Sequence, residues 1–253
     1  MTPLPLPARL SPSKISTYQS CPRHFQYIAV DGLTEPGTVA TERGSLVHAA
    51  LERLFALPAE MRTREAAGDA LVIEATLQAD EEDFMALHLD EDEDYYADAE
   101  RLLAAYFTLE DPRFVEPVGI ELAMEMRVDG VPIKGIIDQL RIVDGEWIVV
   151  DWKTGAAPAE RYTQKRLEGV GIYALFCEQM LGIRPAAVKL YYLGGEPTII
   201  TKRITSGSLN VTRAKIGGVW EAVKKACETD DFRPSPSALC DWCHFKPICP
   251  AHN

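Results

Sequence analysis

Two aspartates and a lysine carry the chemistry most legible in this sequence. Asp138 closes the segment GIID at 135–138, and Asp151 and Lys153 lie within VDWKTG at 150–155. Between them, Asp144-Gly145 is a hairpin signal, because a two-residue type I′ turn needs positive φ at both central positions. That turn sets Val143 opposite Glu146 and carries Asp138 directly across from Asp151. Opposed side chains lie about 4.5–5.5 Å apart at Cβ, so two carboxylates there repel unless a cation sits between them. Lys153 projects from the same face as Asp151, since strand side chains alternate. Such a set suits a hard divalent cation, with the lysine left to contact a phosphate or polarise an attacking water. The chemistry implied is metal-dependent phosphodiester hydrolysis; a surface ladder of salt bridges is the alternative that these residues alone leave open.

A second turn signal, Asp129-Gly130, pairs Val128 with Val131. Its register places Lys134 opposite Glu125 and brings Glu121 across from Asp138. Alternation then predicts a core face of Val118, Ile120, Leu122, Met124, Met126 and Val128, continued by Ile137, Ile148, Val150 and Trp152. The opposite, polar face would present Glu121, Asp138, Asp151 and Lys153 together.

Other elements must position this meander. Ser11-Pro12 opens a short helix through Tyr18, and Pro22 starts a second. Residues 41–57 form an amphipathic helix with Leu46, Val47, Ala50, Leu51, Leu54 and Phe55 on its buried stripe, and with His48 and Glu52 four apart on one flank. Residues 63–89 and 93–109 predict two further helices separated by an acidic run, and this stretch shows no catalytic pattern. A helix over 161–181, strands over 188–193 and 198–204, and a long helix over 211–227 complete the chain. The pattern is a mixed α/β class: a central mixed sheet with an antiparallel meander, flanked by helices.

The chain's net charge of −12 argues against a protein that coats nucleic acid through overall basicity. It leaves room for one that concentrates positive charge in a groove. No run of apolar residues is long enough to span a membrane, and the first residues lack a basic-then-apolar leader, so the expectation is a soluble, cytoplasmic protein with no membrane partner. Six cysteines in that setting point to metal rather than disulfides. Cys240, Cys243 and Cys249 cluster in a proline-rich tail, and Cys21, followed like Cys249 by proline, is the natural fourth ligand. Zinc and an iron–sulfur cluster both remain open, with His244 and His252 as competing zinc ligands. Cys177 and Cys227 sit in apolar helical patterns and read as buried small hydrophobes.

Taken together, these pieces resemble the RecB-type branch of the PD-(D/E)XK nuclease superfamily, in particular its AddB-like members with an iron–sulfur staple. LSPSKISTYQSCPRHFQY at 10–27, GSLVHAALERLF at 44–55, GIID, VDWKTG and CDWCHFKPICP at 240–250 carry the resemblance in order along the chain. It implies a restriction-endonuclease-like core over a single domain, 1–253, with a helical insert at about 60–110 and a cysteine cluster at 234–253 stapling the termini. It implies His48, Asp138 and Asp151 as ligands of Mg²⁺ or Mn²⁺, aided by the Trp152 backbone carbonyl, with Lys153 beside the scissile phosphate. Cys21, Cys240, Cys243 and Cys249 would hold a 4Fe-4S cluster. Gly169 stands where relatives of this type carry a glutamine four residues before the tyrosine, here Tyr173; Tyr173, Lys165 and Arg166 are the candidate substrate contacts. The activity implied is a deoxyribonuclease, most simply an exonuclease on single strands or DNA ends, serving recombination or repair alongside a helicase. The alternative is a non-catalytic DNA-binding or scaffolding subunit of a helicase–nuclease assembly.

Overall fold

The computed structural model describes residues 3–79, 82–87, 89, 93–160, 167 and 169–252. Five strands form one sheet in the order β1 (Pro117–Val128), β2 (Val131–Val143), β3 (Glu146–Ala156), β4 (Ala187–Gly194) and β5 (Thr198–Arg203). The first three form an antiparallel meander, β3 and β4 run parallel, and β5 returns antiparallel. The sheet is therefore mixed, and helices cover both of its faces. The chain opens with α1 (Pro12–Ser20) and α2 (Pro22–Ala29), then α3 (Val39–Phe55), α4 (Arg64–Gln78), α5 (Glu82–Ala86) and α6 (Glu93–Leu109) before the meander. After β3 come α7 (Gly171–Phe176) with its π-turn Cys177–Leu181 and, beyond β5, α8 (Ser206–Thr229). On one side α1, α2, α7 and α8 bury Ile15, Phe25, Phe176 and Val223 against Met126, Ile133, Val149 and Leu190. On the other, α3, α4 and α6 bury Leu51, Leu71 and Tyr106 against Val150, Trp152 and Tyr191.

Local chemistry sets the boundaries. The Ser11 side chain accepts from the Lys14 amide and Pro12 occupies the first turn of α1, as its sequence predicts. Thr38 caps α3 through a reciprocal box with Thr41, which starts that helix two residues earlier than expected. Thr205 and Ser208 form the same box and extend α8 back to Ser206. The helix expected over 63–89 is broken in two after Gln78. Of the helix expected over 161–181, the part from Gly171 is present, while 161–166 and 168 lie outside the described residues.

Both hairpin registers are as the turns dictate: Val128 pairs with Val131, Glu125 with Lys134, Val143 with Glu146 and Gln139 with Val150. The expected faces need correction. Val118 is exposed, Leu122 packs with the α7–α8 side, and Ile120 packs with the α3–α6 side. Ile137 likewise joins Leu140 in the first cluster, away from Ile148, Val150 and Trp152 in the second. The reason is a break in alternation: Glu121, between Ile120 and Leu122, has a φ of 48°, a left-handed backbone in the middle of a strand. Strict alternation also cannot place residues 137 and 140 on one face, so β2 switches there in concert with β1.

Within the second layer Arg141, Glu110, Tyr106 and Tyr191 form a polar network. Arg141, 5% exposed, donates to both Glu110 oxygens at 3.0 and 2.9 Å, and Tyr106 and Tyr191 donate to the same carboxylate at 2.6 and 2.8 Å. Removing one partner of a buried ion pair typically costs about 3–5 kcal/mol, because the other charge stays in the interior. Arg141→Met should therefore lower the urea midpoint by an amount equivalent to roughly 3–5 kcal/mol, with the sheet content in far-UV circular dichroism retained before the transition.

Candidate active site

Pairing of β2 with β3 ends at Gln139 and Val150, which leaves the sheet open where Asp138 and Asp151 lie. Gly44 brings α3 onto this opening: a Cβ there would lie 3.2 Å from the Thr154 hydroxyl, so a larger residue would press the helix away. One turn on, His48 Nε2 lies 3.1 Å from the Trp152 carbonyl, which can only accept. With the ring neutral, its proton is then on Nε2, and the Nδ1 lone pair faces Asp138 Oδ2 at 3.6 Å and Glu121 Oε1 at 3.9 Å. His48, Glu121 and Asp138 each offer one ligand atom within 4.8 Å of the others. Burial opposes charge on His48, but the Glu121 and Asp138 carboxylates outweigh it and raise the imidazole above its usual value.

Asp138 and Asp151 are both buried, 7% and 1% exposed. Burial and the nearby Asp151 push Asp138 up to about 7, and its Oδ2 accepts the Trp152 amide at 2.6 Å. Asp151 lies outside the 4.8 Å trio. Its Oδ2 is 2.5 Å from the Lys153 ammonium, whose side chain still offers 42% of its surface to solvent. Although burial works against the charged form, Asp151 and Asp138 hold the Lys153 ammonium above its usual value. Tyr173, a candidate substrate contact from the sequence, is half-buried on α7 near Asp151 and Asp138. Burial first, then the Asp151 and Asp138 charges, raise that phenol well above its ordinary range. Lys165 and Arg166 lie outside the described residues. Glu52, one turn past His48, is exposed, as a surface acid should be.

In a separate pocket, Cys21, Cys240, Cys243 and Cys249 lie together with His24, Tyr27 and His252. The Ser235 and Ser237 amides point at Cys21 and Cys240 sulfurs at 3.5 and 3.4 Å. Tyr27 of α2 donates to the Ile248 carbonyl at 3.1 Å and packs on Phe245, so the two termini meet through ordinary contacts as well. Cys177 and Cys227 are buried, as their helical patterns predict.

Residues 9–250 match the family model of the PD-(D/E)XK nuclease superfamily. The chain belongs to that superfamily. Over 133 residues it is 29% identical to the Gene 69 proteins of Mycobacterium phages L5 and D29, matches that take in 52% of this chain but 44% and 47% of theirs. The chain thus covers less than half the length of these curated relatives. A crystal structure of a Eubacterium rectale protein, provisionally described as an exonuclease, superposes with a TM-score of 0.59 over 93% of this chain and 86% of its own at 14% identity, a likeness of fold.

The superfamily uses a divalent metal, and the residues here fit one. Glu121 Oε1 is buried with no hydrogen-bond partner, and it belongs to the same trio as His48 and Asp138. Oxygen donors with one imidazole suit Mg²⁺ or Mn²⁺. Glu121 was legible in sequence as the residue across from Asp138; its ligand geometry was not, because it follows from the left-handed backbone at that position. A cation that binds the folded acidic cluster and not the unfolded chain stabilises the fold by mass action, about 2.7 kcal/mol at 100 times Kd. Mn²⁺ should therefore raise the melting temperature of the wild-type chain, and Glu121→Ala should remove most of that rise; an identical Mn²⁺ response in the variant would exclude Glu121 as a ligand.

Proposed function

We propose that this chain is a metal-dependent deoxyribonuclease that hydrolyses phosphodiester bonds in single strands or at DNA ends. The observation that carries it is the convergence of His48, Glu121 and Asp138 around a buried, unpartnered carboxylate oxygen in a chain of this superfamily. His48, Asp138 and Glu121, with Asp151 and the Trp152 carbonyl close by, would hold Mg²⁺ or Mn²⁺. When bound, such an ion supplies Lewis-acid activation of water and of phosphate oxygens.

The protein's own groups do the rest. Asp151 anchors the Lys153 ammonium at 2.5 Å while leaving its side chain partly open to solvent, where it meets the negative charge of an entering phosphate. The Trp152 amide holds one Asp138 oxygen, and the Trp152 carbonyl orients the His48 ring. Each charged group is thereby set before substrate arrives.

The order of motifs that resembles RecB-type nucleases supports a place in recombination or repair, a helicase as partner and a cytoplasmic setting. For the thiols, one zinc ion at about 2.3 Å from each sulfur would draw them to roughly 3.8 Å of one another. Among the described residues, no three of these sulfurs lie mutually within 4.8 Å, although all four cysteines line one pocket. The likeness of the CDWCHFKPICP segment and of Cys21-Pro22 to iron–sulfur members of the superfamily supports a 4Fe-4S cluster, with zinc as the alternative.

Anaerobically purified protein should be brown, with absorbance near about 400 nm that Cys243→Ser removes. In Mn²⁺, wild-type protein should cleave labelled single-stranded DNA, and Lys153→Ala should reduce the rate by about 10²–10³-fold, measured at a temperature where circular dichroism shows the variant folded. Binding without product in the wild type would replace the enzyme with a non-catalytic DNA-binding subunit.

A further inference from the structure

Running away from the metal trio, β1 and β2 form an open two-strand ramp. Ile136 and Lys134 of β2 pair with Ala123 and Glu125 of β1, and Asp138, two residues on from Ile136, converges with Glu121 in the trio. The ramp is acidic and buried at the trio, apolar and open at Ala123 and Ile136, where Ile136 is 50% exposed, and charged at its far end. That far end is basic on balance. Leu10 is buried beside Ile133 and bonds across Pro132 and Lys134, its amide to the Pro132 carbonyl and its carbonyl from the Lys134 amide, both at 2.9 Å. With Leu10 turned into the core, Arg9 faces the ramp and meets Glu125 at 2.6 Å. Ser11 caps the turn that presents Lys14. Burial, then the charges of Lys134 and Arg9, hold the Lys14 ammonium below its usual value, so the three cations share one field around one carboxylate. In a chain of net charge −12, this local excess of positive charge is not a consequence of composition.

Resting on the nuclease reading above, we infer that Arg9, Lys14 and Lys134 bind backbone phosphates of the same nucleic-acid strand whose reacting phosphodiester lies at His48, Glu121 and Asp138. Charge complementarity selects a polyanion, and the apolar middle of the ramp suits the sugar and base faces between the two ends. The four residue steps from Lys134 to Asp138 span about 13 Å of strand, long enough to separate successive phosphates. These residues would position substrate without touching the reacting atoms.

The test compares wild type with Lys14→Gln/Lys134→Gln and with Lys14→Arg/Lys134→Arg, each checked for an unchanged melting temperature. In Mn²⁺, KM on a single strand of about 20 nucleotides should rise roughly tenfold in the glutamine variant, with kcat unchanged. Its log–log dependence of binding on salt should flatten by about 1.4, at roughly 0.7 per lost phosphate contact on single strands. The arginine variant should keep the wild-type slope, and hydrolysis of p-nitrophenyl thymidine 5′-phosphate, too short to reach the basic end, should be equal in all three. A wild type that cleaves, with an unaltered KM and salt slope in the glutamine variant, overturns this inference alone. A wild type that neither binds nor cleaves DNA or the small ester overturns the nuclease reading and this inference with it.

Discussion

Repulsion among Glu121, Asp138 and Asp151 is the constraint that the rest of the fold is built to withstand. Two like charges about 5 Å apart in a medium of effective dielectric about 20 repel by roughly 3 kcal/mol. No sheet would crowd three carboxylates here without a rigid frame. That frame is aromatic: Trp152, fully buried, stacks on Phe55 and meets Tyr106 edge-on, and Tyr106 in turn is tied to Glu110. With Trp152 immobilised, its amide can hold Asp138 and its carbonyl can hold His48. The acidic cluster is thereby strained electrostatically but fixed geometrically, which is the state a cation relieves on binding.

Fixing three acids in one place also required the sheet to abandon its regular pleat. In an unbroken β1, Glu121 would share a face with Ala123 and Glu125, and Ile120 with Leu122. The left-handed Glu121 separates Ile120 from Leu122 onto opposite apolar clusters. A non-glycine residue in that region costs of order 1–3 kcal/mol, and it persists where the surroundings over-determine it. Here those surroundings are the pairings on either side, Leu122 with Ile137 and Ile120 with Gln139, which keep the same register across the irregularity.

This explains which parts of the site could be read from the chain alone. Two Asp-Gly turns set both registers, and register is local information, so the neighbourhood of Asp138, Asp151 and Lys153 followed directly. The face switch did not follow, because nothing in the residue types around Glu121 signals a positive φ; no glycine or asparagine marks the position. The amphipathic stripe of α3 was visible, whereas its approach to β3 depends on Gly44 meeting Thr154, a contact between residues far apart in sequence. Helix starts moved outward where capping boxes used threonine or serine at both positions in place of the usual acidic partner. The place of Tyr173 beside the Asp151 and Asp138 charges was likewise hidden, since an apolar helical neighbourhood reads as core until the sheet opposite is known to carry a carboxylate.

Net acidity and affinity for a polyanion are compatible only if the charges are segregated, and here exposed acids gather on the helical insert while Arg9 and Lys134 meet at Glu125. Glu65 and Asp69 of α4, with Glu93, Asp94 and Glu100 of α6, lie exposed on the helical insert, on the side of the sheet covered by α3. The acids of the site itself are buried and are matched by His48, Lys153 and whatever cation joins them. A strand approaching the molecule is therefore repelled by the insert, and the least unfavourable approach is over the uncovered part of β1 and β2. In the proposed nuclease, acidity on the insert would thus act as an orienting device: it would weaken non-specific adsorption there, while Arg9 and Lys134 would favour approach along β1 and β2.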